Sequence, residues 1–253
     1  MKPSITIITA CFNSESTIST TIESVLSQTY PEIEYLIIDG GSCDQTLSRV
    51  HPYRDRISKV VSEKDQGIYD ALNKGIALSS GEIIGFLHSD DRFAHPRVIE
   101  RLVETMARDG TDGVYSDLEY VRSEKVLRHW KSTPFRPGLL SRGWMPPHPT
   151  LYLRRSVYDR IGLFDLRYRI AADYDFILRS FTRPDLRWSY LPEVTVQMET
   201  GGASNRSFRQ IVCKSKEDHA ILTSHGFSPW SALVMKNLSK LPQFFRRSAR
   251  WAP

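Results

Sequence analysis

Short apolar segments alternate with amphipathic segments through the first half of the chain, and this alternation limits the folds that the chain can adopt. The apolar segments have the length of β-strands, and the amphipathic segments carry apolar residues at helical spacing. The predicted strands cover residues 5–10, 34–39, 58–62 and 82–87. The predicted helices cover residues 14–28, 44–50, 69–78 and 96–108. This order is typical of βαβ units, in which right-handed crossovers join parallel strands. We therefore predict an α/β fold with a mixed, mainly parallel central sheet.

The pattern changes after about residue 113. Residues 113–117 and 125–130 read as strands with no helix between them, which favours a hairpin or a mixed sheet edge. The remaining predicted elements are a strand at 151–153, helices at 156–161 and 174–181, strands at 187–190 and 194–198, and a long helix at 207–224. We expect a nucleotide-binding type of first half to be joined to a more irregular second half within one domain.

Composition is that of an ordinary globular protein. The 253 residues include 40% hydrophobic and 25% charged residues, enough for one sizeable core. No apolar stretch approaches the roughly 20 residues that span a bilayer. The start of the chain has no charged region followed by a cleavage site, so no secretory signal is expected. The three cysteines have no metal-ligand spacing, which predicts a cytoplasmic location without disulfides or a zinc site.

Positive charge is concentrated at the end of the chain. Residues 228–253 contain no acidic residue, and their apolar side chains fall at helical spacing opposite lysines and arginines. A basic amphipathic helix of this kind favours peripheral attachment to an anionic membrane surface, here the inner face of the cell membrane. The alternative is a terminal helix that packs on the domain and exposes a basic face. No RNA-binding signature accompanies the charge, so we expect no nucleic-acid partner.

The apolar run from Ile83 to Leu87 leads directly to two adjacent carboxylates, Asp90 and Asp91. Acids at the carboxyl end of a buried strand lie where open α/β sheets bind their ligands. Two like charges side by side favour a divalent cation that holds an anionic ligand, most often a phosphate. The alternative is a turn or a helix N-cap before Pro96.

A second acid, Asp39, ends the apolar strand at 34–39 and is followed by two glycines. A carboxylate in this position can accept hydrogen bonds from a ribose or from a base N–H. The alternative is a turn in which Asp39 caps local amides. The chain has neither a Gly-x-Gly-x-x-Gly sequence nor a Walker A sequence, so dinucleotide dehydrogenases and P-loop kinases lack their main support.

The segment 63–76 begins as a glycine-containing loop and continues as a helix. Asp70, Asn73 and Lys74 are spaced so that they share one helix face. Since the segment directly precedes the acidic strand end, this face is expected to line the same crevice. A solvated helix face is the alternative.

Taken together, these motifs resemble those of glycosyltransferase family 2. The resemblance is to bacterial members that build capsules, lipopolysaccharide O-chains and other exopolysaccharides. It covers roughly residues 4–205 and rests on residues 11–13, 38–44, 63–75, 86–91, 148–155, 162–165, 171–175 and 201–204. Many relatives have Glu-Asp where this chain has Ala172 and Asp173.

The resemblance implies a GT-A fold, a single α/β domain that binds a nucleoside-diphosphate sugar and Mn²⁺ or Mg²⁺. It implies that Ala10, Phe12 and Asp39 line the base pocket and that Gly67 and Asp70 border the nucleotide. Asp90 would approach the ribose or the sugar, and Asp91 would be the metal ligand. A metal ion in this place neutralises charge that develops on the leaving diphosphate.

The acceptor side of the site is assigned from the same resemblance. Asp173, at the start of a predicted helix, would be the general base that deprotonates an acceptor hydroxyl. An acid favoured by the helix dipole is the alternative. His148 and Ser204 are candidates for contact with the acceptor or the diphosphate. Asp175 is expected to pair with Arg179 one helical turn further on.

The sequence thus predicts an inverting, metal-dependent glycosyltransferase that transfers sugar to a glycan or lipid-linked glycan in surface polysaccharide biosynthesis. Residues 1–205 would form the catalytic domain and residues 206–253 a helical extension. One alternative is a sugar-nucleotide pyrophosphorylase, although the glycine-rich loop that it needs is missing from residues 9–19. Another is a non-catalytic module that binds a nucleotide or a glycan.

Overall fold

The computed structural model describes residues 2–122, 124–200, 208–230 and 232. The strands of the described residues are β1 (Ile5–Cys11), β2 (Ile33–Asp39), β3 (Lys59–Ser62), β4 (Ile83–Phe86), β5 (Asp91–Phe93), β6 (Gly113–Arg122), β7 (Lys125–Trp130), β8 (Tyr152–Arg154) and β9 (Trp188–Glu199). The α-helices are α1 (Ile18–Leu26), α2 (Thr46–Val50), α3 (Ile68–Leu78), α4 (Val98–Asp109), α5 (Arg155–Ile161), α6 (Ala172–Phe181) and α7 (Phe208–Ser224). Short 3-10 helices cover His51–Arg56, Pro137–Arg142 and His148–Thr150.

The strands form one sheet in the order β3-β2-β1-β4-β8-β6-β9-β5, with β7 paired to β6. The first four strands of this order are parallel, so their carboxyl ends lie at one edge. At that edge Cys11 of β1 is opposite Asp39 of β2. The Leu87 amide, just after β4, donates to the Ile8 carbonyl of β1 at 3.1 Å. Strand pairing therefore brings the ends of β1, β2 and β4 together.

The second half of the sheet is mixed. Strands β6 and β9 are parallel, whereas β8 is antiparallel to both β4 and β6, and β5 is antiparallel to β9. Strands β6 and β7 form the predicted hairpin. The predicted α/β architecture, with a mixed and mainly parallel sheet and a helical C-terminal portion, is confirmed.

Strand β9 differs from the prediction of two strands at 187–190 and 194–198, which is wrong. It is one continuous strand, and Pro192 lies within it. Between the pairs Ser116–Leu191 and Asp117–Val194 the register shifts, so Pro192 and Glu193 have no partner on β6. A bulge tolerates proline because no ladder hydrogen bond is required from its nitrogen. The strand β5 was not predicted, and it begins at Asp91 itself.

The two faces of the sheet are covered by different helices, as the alternation of side chains in β1 shows. Ile8 and Ala10 point to the face covered by α3, where they join Leu72 and Ile76 in one buried cluster. Ile7 and Cys11 belong to the other cluster, which includes buried residues of α1 and α4. The core thus fixes the sheet between two helical layers and leaves its carboxyl edge for a site.

Gly85 in β4 provides a test of this packing. A Cβ atom at this position would lie 1.9 Å from Cε1 of Tyr152, whose side chain is fully buried. We expect Gly85→Ala to lower the free energy of unfolding by about 2–3 kcal/mol, because a rigid ring in a packed core cannot move aside without strain. Urea denaturation measures this change. The matched control is Gly138→Ala, where a Cβ would meet no atom within 4 Å, and an equal loss there would contradict the packing argument.

Helix α7 packs against α6. Asp175 of α6 makes the predicted ion pair with Arg179, at 2.8 Å, and its other oxygen lies 3.0 Å from Nε2 of His225, just after α7. Burial alone would raise the pKa of Asp175, but the hydrogen bonds from His225 and Arg179 outweigh burial and lower it. Within the described residues no helix is both long and apolar enough to cross a bilayer.

Candidate functional site

Asp39 ends β2 at the carboxyl edge, and its side chain is fully buried. The carboxylate accepts hydrogen bonds from the Ser42 amide, at 3.1 and 3.3 Å, and from the hydroxyls of Ser42 and Ser62. These bonds match the alternative in which Asp39 caps a local turn. They also tie the end of β2 to the end of β3.

Ala10 and Phe12, the other two residues predicted to line the base pocket, differ in solvent exposure. Ala10 is buried at the end of β1, whereas the Phe12 side chain is 59% exposed. An exposed aromatic ring beside a strand end offers a flat apolar surface to a ligand.

Gly67 forms the N-terminal boundary of α3 with φ of 122°, and no atom lies within 4 Å of the position of a Cβ. This backbone conformation favours glycine, and the space above it is open. One oxygen of Asp70 accepts a hydrogen bond from the Gln66 amide at 3.0 Å and lies 3.5 Å from Nζ of Lys74. Asp70 thereby holds the loop that carries Gly67.

The residues of the predicted polar face of α3 make contacts within the chain, Asn73 with Phe164 and Lys74 with the exposed Glu63. The Asn73 amide donates to the Phe164 carbonyl at 2.9 Å and accepts from the Phe164 amide at 3.0 Å. Lys74 pairs with Glu63 at 2.9 Å. The Asn73 contacts fasten the second half of the chain onto α3.

The two carboxylates after β4 have different surroundings. Asp90 lies in a turn and is partly exposed. Its carboxylate has no hydrogen bond or ion pair with the described residues. Asp91 begins β5 and is 1% exposed, and neither of its carboxylate oxygens has a hydrogen-bond partner among the described residues. Burial, together with the nearby Asp90 charge, raises the pKa of Asp91 well above its ordinary value. An unpartnered pair of acids of this kind has free oxygen ligands for a hard cation.

Two histidine rings lie beside the acid pair. The His148 ring stacks on Phe86 at 5.6 Å and on His88 at 6.0 Å, and it meets Phe164 edge-on at 5.6 Å. Burial lowers the pKa of His148 to about 4, with Asp173 opposing and His88 adding to the effect. Burial also lowers the pKa of His88 against the charges of Asp90 and Asp173. Both rings are therefore neutral at neutral pH.

Asp173 lies in the first turn of α6 and is partly exposed. The Tyr69 hydroxyl lies 3.0 Å from its Oδ1 atom and 2.9 Å from the Ile170 carbonyl oxygen. Burial, with the Asp173 charge beside it, raises the pKa of Tyr69 well above its ordinary value. The phenol thus stays protonated and serves as a hydrogen-bond donor to the carboxylate.

These contacts unite Asp90, Asp173 and His148 in one region, although they are far apart in sequence. Sequence reasoning missed His88 and Tyr69, which lie inside quoted motifs but carried no assigned role. The buried Nδ1 atom of His88, which lacks a partner among the described residues, marks it as a residue of the site. Ser204 and most of the basic tail lie outside the described residues.

No preformed cluster of metal ligands accompanies the acid pair. Across residues 2–122, 124–200, 208–230 and 232, no group of three or more His, Cys, Asp and Glu side chains is placed to hold a metal ion. A cation bound here would take most of its ligands from a phosphate group and from water, which is how Mg²⁺ is commonly bound.

The family model described as Glycosyl transferase family 2 matches residues 6–170, well over half of the chain. Among similar proteins, an uncharacterised glycosyltransferase of Mycobacterium tuberculosis (strain ATCC 25618 / H37Rv) is 35% identical over 180 residues, which cover 70% of this chain and 69% of the relative. A PGL/p-HBAD biosynthesis glycosyltransferase of Mycobacterium bovis (strain BCG / Pasteur 1173P2) is 31% identical over 216 residues, 80% of each chain.

Solved structures with low sequence identity share the fold. The S. aureus TarS 1-349 complex with UDP superposes with a TM-score of 0.68 at 20% identity, over 87% of this chain and 64% of that one. This chain thus spans less than two thirds of that TarS chain. The mannosyltransferase PcManGT from Pyrobaculum calidifontis, in complex with GDP-Man and Mn²⁺, gives a TM-score of 0.67 at 17% identity, over 97% and 74%. With its family match over residues 6–170 and its relatives, the chain belongs to glycosyltransferase family 2.

Proposed function

We propose that the protein transfers one sugar from a nucleoside-diphosphate sugar to a hydroxyl of a glycan or lipid-linked glycan, with inversion at the anomeric carbon. The observation that carries this proposal is the placement of Asp173. Its partly exposed carboxylate is held by Tyr69 and lies near the His88 and His148 rings, beside the acid pair. This arrangement supports Asp173 as a base next to the acid pair, where a diphosphate would bind.

The nucleotide would bind at the carboxyl ends of β1 and β2. Phe12 supplies an exposed ring for the base, with Ala10 beneath it and Asp39 at the strand end. To bond with Asp39, a base N–H would have to replace one of the serine hydroxyls that now donate to its carboxylate, or use a carboxylate lone pair that is still free. Gly67 and Asp70 would border the nucleotide through the open loop before α3.

A divalent cation fits the acid pair, and we propose Asp90 as the ligand that meets the diphosphate. The family resemblance implies Asp91 in this role, which stays a prediction. Our preference for Asp90 is supported by burial, since both Asp91 oxygens are buried whereas Asp90 is partly exposed. The cation would neutralise charge on the departing diphosphate. Among solved structures with the same fold, those of PcManGT and of a mycobacterial glucosyl-3-phosphoglycerate synthase contain Mn²⁺.

The chemistry would be a single displacement. Asp173 takes the proton from the acceptor hydroxyl as its oxygen forms a bond to the anomeric carbon. The bond from that carbon to the diphosphate oxygen breaks at the same time, and the nucleoside diphosphate leaves with the electron pair. Because attack occurs on the face opposite the leaving group, the configuration inverts. The neutral His88 and His148 rings add no positive charge that would compete with the proton transfer.

The acceptor and the location are proposed from one relative and from the sequence of the C-terminal segment. The mycobacterial relative named for PGL/p-HBAD biosynthesis is consistent with a glycolipid or surface-glycan acceptor. We propose that the basic segment 228–253 contacts an anionic membrane where such an acceptor would lie, and that Ser204 approaches the phosphates. The division into a catalytic domain at 1–205 and an extension at 206–253 has its boundary outside the described residues.

A donor screen tests the proposed function. The protein is heated with UDP, GDP or TDP in the presence of Mn²⁺, and the melting temperature is measured. We expect one nucleotide to raise it, since a ligand at about 100 times its Kd stabilises the folded state by about 2.7 kcal/mol. The matching nucleotide sugars are then assayed for transfer and hydrolysis.

Two outcomes of the screen would contradict the proposal. Release of pyrophosphate from a nucleoside triphosphate and a sugar 1-phosphate would identify a pyrophosphorylase. Nucleotide binding without turnover of any nucleotide sugar, with and without glycan acceptors, would identify a binding module.

A further inference from the structure

The chain segment directly before Asp173 is held by a carboxylate from a distant helix. Glu217 of α7 accepts hydrogen bonds from the backbone amides of Arg169, Ile170 and Ala171, at 3.0, 2.9 and 2.9 Å. Its Oε1 atom takes the first bond, and its Oε2 atom takes the other two. Charge-assisted bonds to successive amides are among the stronger hydrogen bonds in proteins.

Helix α6 needs such a partner because its own sequence does not supply one. The residue at the N-cap position is Ala171, which makes no side-chain capping hydrogen bond. The amides at a helix start are otherwise left for water or for another acceptor. Glu217, 46 positions further along the chain, accepts from the Ala171 amide at the N-cap and from the two amides that precede it, and its negative charge lies near the positive end of the α6 dipole.

The same segment is held from its other side by α3. The Ile170 amide donates to Glu217, while the Ile170 carbonyl and the Asp173 carboxylate both lie within 3.0 Å of the Tyr69 hydroxyl. The backbone that leads into Asp173 is thus fixed between α7 and α3. Neither contact involves a group that would touch the donor.

We propose that Glu217 is a positioning residue for the reaction, and that it sets the place of Asp173 by holding the backbone of residues 169–171. The inference rests on the proposed role of Asp173 as the base. It gives α7 a part in the reaction that is separate from any membrane attachment of the segment that follows it.

The test compares Glu217→Gln and Glu217→Ala with the wild-type chain, using the donor found by the nucleotide screen and a soluble acceptor. We expect kcat to fall by about 10- to 100-fold, the size of effect that small misplacements of a catalytic group produce. The donor KM is expected to stay within about twofold, because the loss affects the reacting geometry and not donor binding. Hydrogen exchange at the amides of residues 169–171 is expected to accelerate. Glu104→Gln, the same change at an exposed glutamate of α4, is the control and should leave kcat unchanged.

Each outcome decides the question. An unchanged kcat in Glu217→Gln overturns the proposal, and so does an equal loss of kcat and of donor binding, which would show a general structural role. If Glu217→Ala does not fold, Glu217→Gln alone decides. A wild-type chain that transfers no sugar refutes the proposed function, whereas an active wild type with fully active Glu217 variants refutes only the positioning role.

Discussion

Asp173→Asn is expected to reduce kcat for sugar transfer by about 10²- to 10⁴-fold, the range that a positioned general base contributes. Asparagine keeps the size of the side chain but cannot take the acceptor proton. The Tyr69 hydroxyl can still donate to the amide oxygen, so the local backbone should persist. Donor KM and the nucleotide-induced rise in melting temperature are expected to be unchanged, since Asp173 acts on the acceptor.

Initial rates at saturating donor and acceptor measure this effect. Asp159→Asn makes the same chemical change at an exposed position of α5 and is the matched control. Comparable rates in Asp173→Asn and the wild type would show that another group removes the proton.

Asp90→Asn is expected to abolish most of the added stabilisation that Mn²⁺ gives to the nucleotide complex. The variant loses a partly exposed carboxylate that would meet the metal and the diphosphate, so Mn²⁺ should no longer add to the stabilisation by the nucleotide. Activity at a fixed Mn²⁺ concentration is expected to fall by at least about 100-fold, because a carboxylate is a principal protein ligand in sites of this kind. Melting curves with nucleotide, with and without Mn²⁺, provide a readout that does not depend on turnover.

Asp91→Asn is the informative comparison for the metal site. It removes a buried carboxylate that has no hydrogen-bond partner among the described residues. If Asp90 is the ligand, Asp91→Asn retains the Mn²⁺ effect on melting. If Asp91→Asn loses that effect and Asp90→Asn keeps it, the assignment made from the sequence is the right one.

The parallel half of the sheet could be predicted because its signals are local. Strands β1, β2 and β4 are mainly apolar, and helices α1 and α3 repeat their buried apolar residues every three or four positions. The second half was harder. Two strands were predicted where the structure has the single strand β9, because whether a segment with a proline ends a strand or forms a bulge depends on the neighbouring strand, here β6.

The residues of the site divide in the same way, into those that local sequence reveals and those that only the fold reveals. Motifs in the sequence drew attention to Asp39, Asp90, Asp91 and Asp173 because acids at strand and helix ends are locally visible. Residues elsewhere in the chain determine whether each carboxylate already accepts hydrogen bonds or is free to meet a ligand. Ser62 lies 23 positions from Asp39, which it satisfies, and Tyr69 lies 104 positions from Asp173. Glu217 could not have been found from the sequence, because it is an ordinary glutamate on an amphipathic helix until the fold places it beside residues 169–171.

The side-chain amide of Asn73 donates a hydrogen bond to the backbone of Phe164, 91 positions further along the chain. This separation affects the order in which parts of the enzyme fold and unfold. Contacts so distant in sequence form late, because closing a long loop costs conformational entropy before the contact returns any energy. The ring stack around His148 depends on Phe164, so it is expected to form among the last features and to open among the first in local unfolding. We therefore expect the attachment of the second half to α3 to open first on heating, so that activity is lost at a lower temperature than the one at which the parallel strands melt.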